Sequence, residues 1–365
     1  MKTENARGFQ NGRIWLGVIG LALALGAAGT WWQHLENSRT AEPPAAAVAP
    51  AEPIPEMPPE AAPAADERSE PEPEETPAVA SEASERNVGA VLDLAQAVDR
   101  TAPDARQRAA ELFAADDMPS QVAGLALLAG QGWLDAQTDW TRVAPETALA
   151  AVDLCGALFG AEPADGLLEQ WMAGAGGAQA AGEAAHRLLL ESRLPCGGGS
   201  AALDLMQSVN DPQAIWVGLQ EFAVNAALPA SVRTEALLRV CALGKEGENL
   251  EFARQCVELA RGNGDAWAVR AGRVLEWQAK LPAAGHPAGL DLLWGSDAFA
   301  EPYPGMVEDV ELLLRQGLSS GQLQVDAAAA GLRTAVANLD EATLSGPDRL
   351  AMRHLRRLLG SADAK

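Results

Sequence analysis

The chain has 365 residues and a formal net charge of −23, which excludes nucleic acid as a partner, because phosphate binding needs clustered Lys and Arg to displace counterions. One Tyr and six Phe stand against periodic stretches dominated by Ala and Leu, so strands are disfavoured and an all-α fold is expected. Lys occurs only at positions 2, 245, 280 and 365 while Arg is frequent and Ala and Gly abound, a usage that reads as GC-rich bacterial coding.

Residues 1–13 carry Lys2, Arg7 and Arg13 and are expected on the cytoplasmic side of a membrane. From Ile14 to Trp32 runs IWLGVIGLALALGAAGTWW, nineteen residues without a charge, the length a helix needs to cross ~30 Å of hydrocarbon. Trp15 lies near one end and Trp31 and Trp32 at the other, where indoles prefer the headgroup region. Gly26, Ala27, Ala28 and Gly29 also offer small residues for cleavage as a signal peptide, but the apolar run exceeds an ordinary signal h-region, so an uncleaved signal anchor is the better reading. The positive-inside bias then places everything after Trp32 beyond a bacterial inner membrane, in the periplasm or another extracytoplasmic space.

Residues 33–86 read as a disordered linker. Between Ala41 and Arg86, Pro recurs every few residues and twelve acids face only Arg68 and Arg86. Such a stretch cannot bury enough surface to offset its ordering entropy, and at ~3.1 Å per residue it reaches on the order of 140 Å.

Residues 87–360 read as an all-α repeat domain, followed by a disordered tail at 361–365. Apolar periodicity predicts helices near 88–100, 103–116, 119–134, 145–160, 164–174, 178–192, 200–208, 212–226, 229–243, 248–262, 265–280, 288–298, 305–318, 322–337 and 346–360. Pro103, Pro145 and Pro229 sit where a first-turn proline is harmless, and Gly160, Gly244 and Gly262 where a left-handed cap is wanted. Taken in pairs, these helices begin at 103, 145, 178, 212, 248, 288 and 322, a step in the range of helical-hairpin solenoids. The segment LPASVRTEALLRVCALG, with Pro229, Val232, Arg233, Ala236 and Leu237, resembles a HEAT-type repeat helix, and looser echoes place Arg106 and Arg270 comparably. Resemblance to HEAT and tetratricopeptide-type α-solenoids spans about 88–360 and implies an interaction scaffold with an extended concave surface.

Candidates for chemistry are few. His34, His186, His286 and His354 share no metal-ligand spacing, so neither a metal nor another cofactor is expected. Gly317-Leu-Ser-Ser-Gly321 matches G-x-S-x-G, but it falls between two expected helices rather than between a strand and a helix. Gly197-Gly-Gly-Ser200 lacks the Lys of a phosphate loop and reads as a turn before an N-cap serine. Cys155, Cys196, Cys241 and Cys256 allow up to two disulfides beyond the membrane, with 155–196 and 241–256 the sequence-local pairing, or buried free thiols. Trp133, Trp140, Trp171, Trp216, Trp267, Trp277 and Trp294 offer either a groove or core. Arg349, Arg353, Arg356 and Arg357 on the last helix suit a capping helix or a contact to a partner or anionic lipid. The expectation is therefore a membrane-tethered, non-catalytic scaffold with an envelope protein partner; the alternative is a cell-wall-acting enzyme or glycan-binding protein.

Overall fold

The computed structural model describes residues 77–135, 138–243, 248–283, 286–325 and 329–360. The membrane span at 14–32, most of the linker and the tail at 361–365 lie outside them. Among the described residues no helix is long and apolar enough to cross a membrane.

Among the described residues the protein is predominantly helical, with 14 helices, 70% of those residues helical and almost no strand. In chain order the helices are α1 Pro77–Ala97, α2 Ala105–Phe113, α3 Met118–Gly130, α4 Pro145–Phe159, α5 Ala161–Gly174, α6 Ala178–Leu190 and α7 Gly199–Val209. They continue as α8 Pro212–Val224, α9 Ala230–Ala242, α10 Glu248–Gly262, α11 Trp267–Gln278, α12 Met306–Ser319, α13 Ala330–Ala337 and α14 Gly346–Leu358. Several starts have a visible cause. The Asp211 side chain accepts from the amides of Gln213 and Ala214 while Pro212 occupies the first turn, and Ser345 accepts from the Asp348 amide.

Two regions depart from the expected elements. Helix α1 begins at Pro77, ten residues inside the expected linker: after Pro77 the prolines stop and the Ala-rich run ahead of Val88, Val91, Leu92 and Ala95 carries the helix to a buried stripe. The helix expected at 288–298 is instead strand β1, Ala288–Gly289, plus one 3-10 turn at Leu290–Leu292, where Gly289 and Gly295 bracket a short apolar run and lower its helix propensity. β1 pairs in parallel with β2, Leu323–Gln324, in the register Ala288 to Leu323, which also displaces the helix expected from 322. That helix is confined to α13.

Consecutive helices pack pairwise, α2 on α3, α4 on α5, α6 on α7, α8 on α9 and α10 on α11, matching five of the expected hairpins. One helix of each of the second, third and fourth pairs faces inward, together with α12 and α14. Helices α4, α7, α9, α12 and α14 touch in a closed cycle, α14 returning to α4, while α1 lies across the seam against α14 and α3. Arg357 fastens that seam by donating to the carbonyls of Ala157 and Leu158 at the end of α4, and Arg349 pairs with Asp93 of α1. The main core runs from α1 to α11 around fully buried Trp171 and Phe222; a second cluster joins Leu238 and Val274 to α12, α13 and α14. The concave face that stacked hairpins would leave open is thereby folded around a central cavity.

Candidate functional site

The cavity encloses about 410 Å³ and draws its lining from the inner helices and from α1 and α5. A second cavity of about 360 Å³ shares Asp204, Glu235, Leu312 and Arg315 with it. The first is lined by the N-terminal halves of α7, α9 and α12 and the second by their C-terminal halves, so the side chains common to both divide one axial space into two.

The dividing layer is a charged cluster. On α9, Glu235 and Arg239 stand one turn apart; on α12, Glu311 and Arg315 do the same. Arg315 Nη2 lies 3.2 Å from Glu235 Oε2 and its Nε lies 3.2 Å from Glu311 Oε1. Arg239 reaches Glu235 with Nε at 3.2 Å and Asp204 with Nη2 at 2.7 Å. Ser200, in the first turn of α7, donates its hydroxyl to Glu235 at 3.0 Å and accepts from Arg315. His354 Nδ1 stands 2.7 Å from Glu311 Oε1. Asp153 of α4 accepts the Ser200 and Ala201 amides at 3.2 and 2.9 Å, capping α7 from a neighbouring helix. This cap depends on Gly198, whose φ of 90° is left-handed and whose missing Cβ would stand 2.7 Å from the Ala150 nitrogen.

The two carboxylates around Ser200 are driven apart. Burial and the neighbouring Glu235 carboxylate push Asp153 up to about 7, against the pull of Arg315. Burial would raise Glu235 as well, but Arg315 and Arg239 outweigh it and hold the group down at about 2. Arg315, between two buried acids, stays charged far above any physiological pH. Beside this layer, Arg270 bonds Asp309 at 2.7 Å and Glu308 at 2.8 Å. Tyr303 donates to Asp309, and Asp348 accepts the Gly305, Val307 and Glu308 amides at the start of α12. Burial pushes Glu308 up to about 7 and Asp309 to about 6 in spite of Arg270.

Glu235, fixed as a carboxylate by two guanidinium groups, is too weak a base to take the proton of Ser200. His354 addresses Glu311, not the serine, so no nucleophile–base pair is assembled. Both Asp153 oxygens are engaged by α7 amides. Among the described residues no group of three or more His, Cys, Asp or Glu could hold a metal ion.

Of the residues singled out from sequence, Gly197 to Ser200 and His354 line the cavity, with Gly198 rather than Ser200 as the N-cap of α7, and the others fall elsewhere. Arg349, Arg353 and Arg356 surround Glu341, and Arg357 holds α4, so each of the four is engaged within the domain. Cys155, Cys196, Cys241 and Cys256 are free thiols, and burial pushes each up to about 11 or 12. None of the seven Trp in this domain lines either cavity. Gly317–Gly321 closes α12 and turns into β2, so the serines there lack the strand–turn–helix setting of a nucleophile. Arg233 of the HEAT-like segment is structural: it bonds Asp265 at 2.6 Å and the Ala223 carbonyl at 3.2 Å and lies 4.0 Å over the Trp267 ring. Sequence reasoning passed over Asp153, Glu235, Arg239, Glu311 and Arg315. The available signal was charge at one-turn spacing inside the apolar runs VRTEALLRV and VELLLRQ.

No protein-family model matches the chain, no curated protein matches it, and no solved structure matches its fold.

Proposed function

We propose that this chain is a non-catalytic interaction protein of the bacterial cell envelope, anchored by residues 14–32, whose HEAT-like helical-hairpin repeats present the mouth of the central cavity to an envelope protein partner. The observation that carries this reading is the closed cycle α4, α7, α9, α12 and α14, four of whose helices bring acidic groups to a cavity of ligand-binding size. Saturation of Glu235 and Asp153 by internal donors supports binding over turnover.

The test is affinity purification of the tagged full-length protein from gently crosslinked, solubilised membranes, beside a variant whose cavity mouth is obstructed. Ala161 is exposed and lines the cavity, so Ala161→Trp narrows the mouth without entering the core. A stoichiometric partner with the parent, reduced with Ala161→Trp, is the expected outcome. Equal recovery with both would refute the cavity mouth as the contact.

One observation favours a second reading, an enzyme acting on cell-wall glycan. Asp153 near 7 and Glu235 near 2 have the divergence of a protonated carboxylic acid beside a carboxylate that stays ionised. Release of soluble fragments from purified peptidoglycan, lost in Glu235→Gln, would establish it.

A further inference from the structure

Helices α1 and α14 lie side by side in parallel, and their contacts climb in step. A Cβ on Gly89 would stand 3.5 Å from the Gly346 Cα; above it Asp93 pairs with Arg349, and the Gln96 amide oxygen accepts from Arg353 at 3.1 and 3.2 Å. Steps of three or four residues keep these contacts on one face of each helix. The next step brings Arg100, just beyond the end of α1, beside Arg357. The seam thus passes from an ion pair, through a neutral amide, to two like charges.

Among the described residues nothing neutralises that last pair. Arg357 spends Nε and Nη2 on the carbonyls of Ala157 and Leu158, while its Nη1 lies 3.3 Å from where a Gly160 Cβ would stand and makes no hydrogen bond. The Arg100 guanidinium lies 5.4 Å over the Phe159 ring and has neither a hydrogen bond nor an ion pair. Asp99 is turned instead to the amide and hydroxyl of Thr101, at 3.0 and 2.7 Å. Glu162, exposed in the first turn of α5, reaches neither guanidinium at ion-pair distance. Burial and the facing Arg100 both press Arg357 below the usual guanidinium range.

The pair stands at the cavity mouth. Gly160, against which Arg357 lies, precedes Ala161, the exposed residue of that mouth, and Leu358, next to Arg357, lines the cavity itself. We propose that Arg100 and Arg357 receive a carboxylate of the partner polypeptide, while an apolar side chain beside that carboxylate enters the cavity. This rests on the cavity mouth being the contact surface of the interaction protein proposed above, and it names the chemistry of the partner there. The planar guanidinium fork matches a carboxylate edge, and the incoming charge supplies the counter-ion that the rung from Asp93 to Arg349 already has.

The test is fluorescence anisotropy on the full chain in detergent at low ionic strength, where exposed charge pairs are least screened. The probe is a labelled Glu-Leu-Glu-Leu peptide, and its Lys-Leu-Lys-Leu counterpart is the control. The acidic peptide binds and the basic one does not. Arg100→Gln, at an exposed position, weakens the binding roughly threefold, and Arg100→Lys, which keeps the charge, retains most of it. Glu162→Gln, which removes the acid next to Ala161, strengthens it. Equal binding of the basic peptide, or acidic-peptide binding indifferent to Arg100→Gln, overturns the proposal. Displacement by inorganic phosphate where acetate has no effect assigns the pair to a phosphate group and overturns the carboxylate. Failure of both peptides while Ala161→Trp still loses a protein partner overturns this inference and leaves the proposed function standing. Peptide binding that responds to Arg100→Gln, beside partner recovery indifferent to Ala161→Trp, upholds the carboxylate site and refutes the proposed function.

Discussion

Replacing Arg315 by Met keeps the length and aliphatic bulk of the side chain and removes the charge that joins α9 to α12. Glu235 and Glu311, with side chains 10% and 8% exposed, then lose the guanidinium they share. Removing one partner of a buried ion pair typically costs about 3–5 kcal/mol, because the other charge stays desolvated. Here Glu235 keeps Arg239 and Ser200, and Glu311 keeps His354, so the lower end applies, about 3 kcal/mol. At roughly 2 °C per kcal/mol for a domain of this size, the melting temperature falls by about 6 °C. The sign of the pH dependence distinguishes this cause from lost packing. In the parent, Glu235 is held near 2, below its ordinary 4.5, so its contribution is present above 4.5 and is lost as the pH falls toward 2. Without Arg315 the buried acids rise, and the variant regains stability by protonating them at acidic pH. Urea denaturation of the domain at pH 8 and pH 5 reads both effects. A deficit below 1 kcal/mol, or one equal at the two pH values, would refute the assignment of Arg315 as the central counter-ion.

Asp153 and Glu308, pushed up to about 7, and Asp309, pushed to about 6, bind protons more tightly folded than unfolded. Their contribution is therefore lost as the pH rises from 4 to 7, and the urea midpoint of the parent should be higher at pH 5 than at pH 8, with the difference reduced in Asp153→Asn. Trp171, 1% exposed, is the largest fully buried side chain, and Trp171→Ala should lose about 3–5 kcal/mol in the same assay. The four cysteines, with thiols raised to about 11 or 12 by burial, should react with an aromatic disulfide reagent at pH 8 only slowly in the native state and at once in urea. Fast reaction of the folded protein would show the thiols to be accessible.

Helical content and hairpin spacing were legible because they rest on local causes. Pro145 does open α4, and Gly160 ends it with a φ of 103°. Even so, Pro229 serves as the N-cap residue of α9 rather than its first turn, and Gly262 is the last residue of α10, the left-handed turn coming later at Gly264. The strand at Ala288–Gly289 was illegible because its partner lies at Leu323–Gln324, and apolar spacing in two isolated segments carries no record of their pairing. The central cluster was hidden more deeply. Glu235 with Arg239 and Glu311 with Arg315 have the spacing of solvent-facing pairs, and only the cycle of inner helices turns them inward. Ser200 and Arg315, which meet in that layer, are 115 residues apart. The last helix shows the same dependence on distant partners: Arg349 pairs with Asp93 of α1 and Arg357 with the end of α4, far from both in sequence.

Closure also decides where the chain reaches its own cavity. Helix α1 is the first described element after the linker, and within two turns of Pro77 it supplies Ser84, whose hydroxyl bonds the Leu194 carbonyl at 3.2 Å, and then Val88, to the cavity wall. Helix α14 supplies Pro347, Leu350, Ala351, His354 and Leu358 to the same wall from the other end of the domain. The cavity is thus completed by the two terminal helices together, and it exists only when α14 has returned to α1 and α4. In an open solenoid each repeat would hold its share of the surface alone, and removing an end would shorten the surface without abolishing it. Here the loss of either end uncovers the charged layer to water, where the Glu235–Arg315 contact is screened. The cavity therefore depends on the fold as a whole, which is why no short motif along the chain announces it.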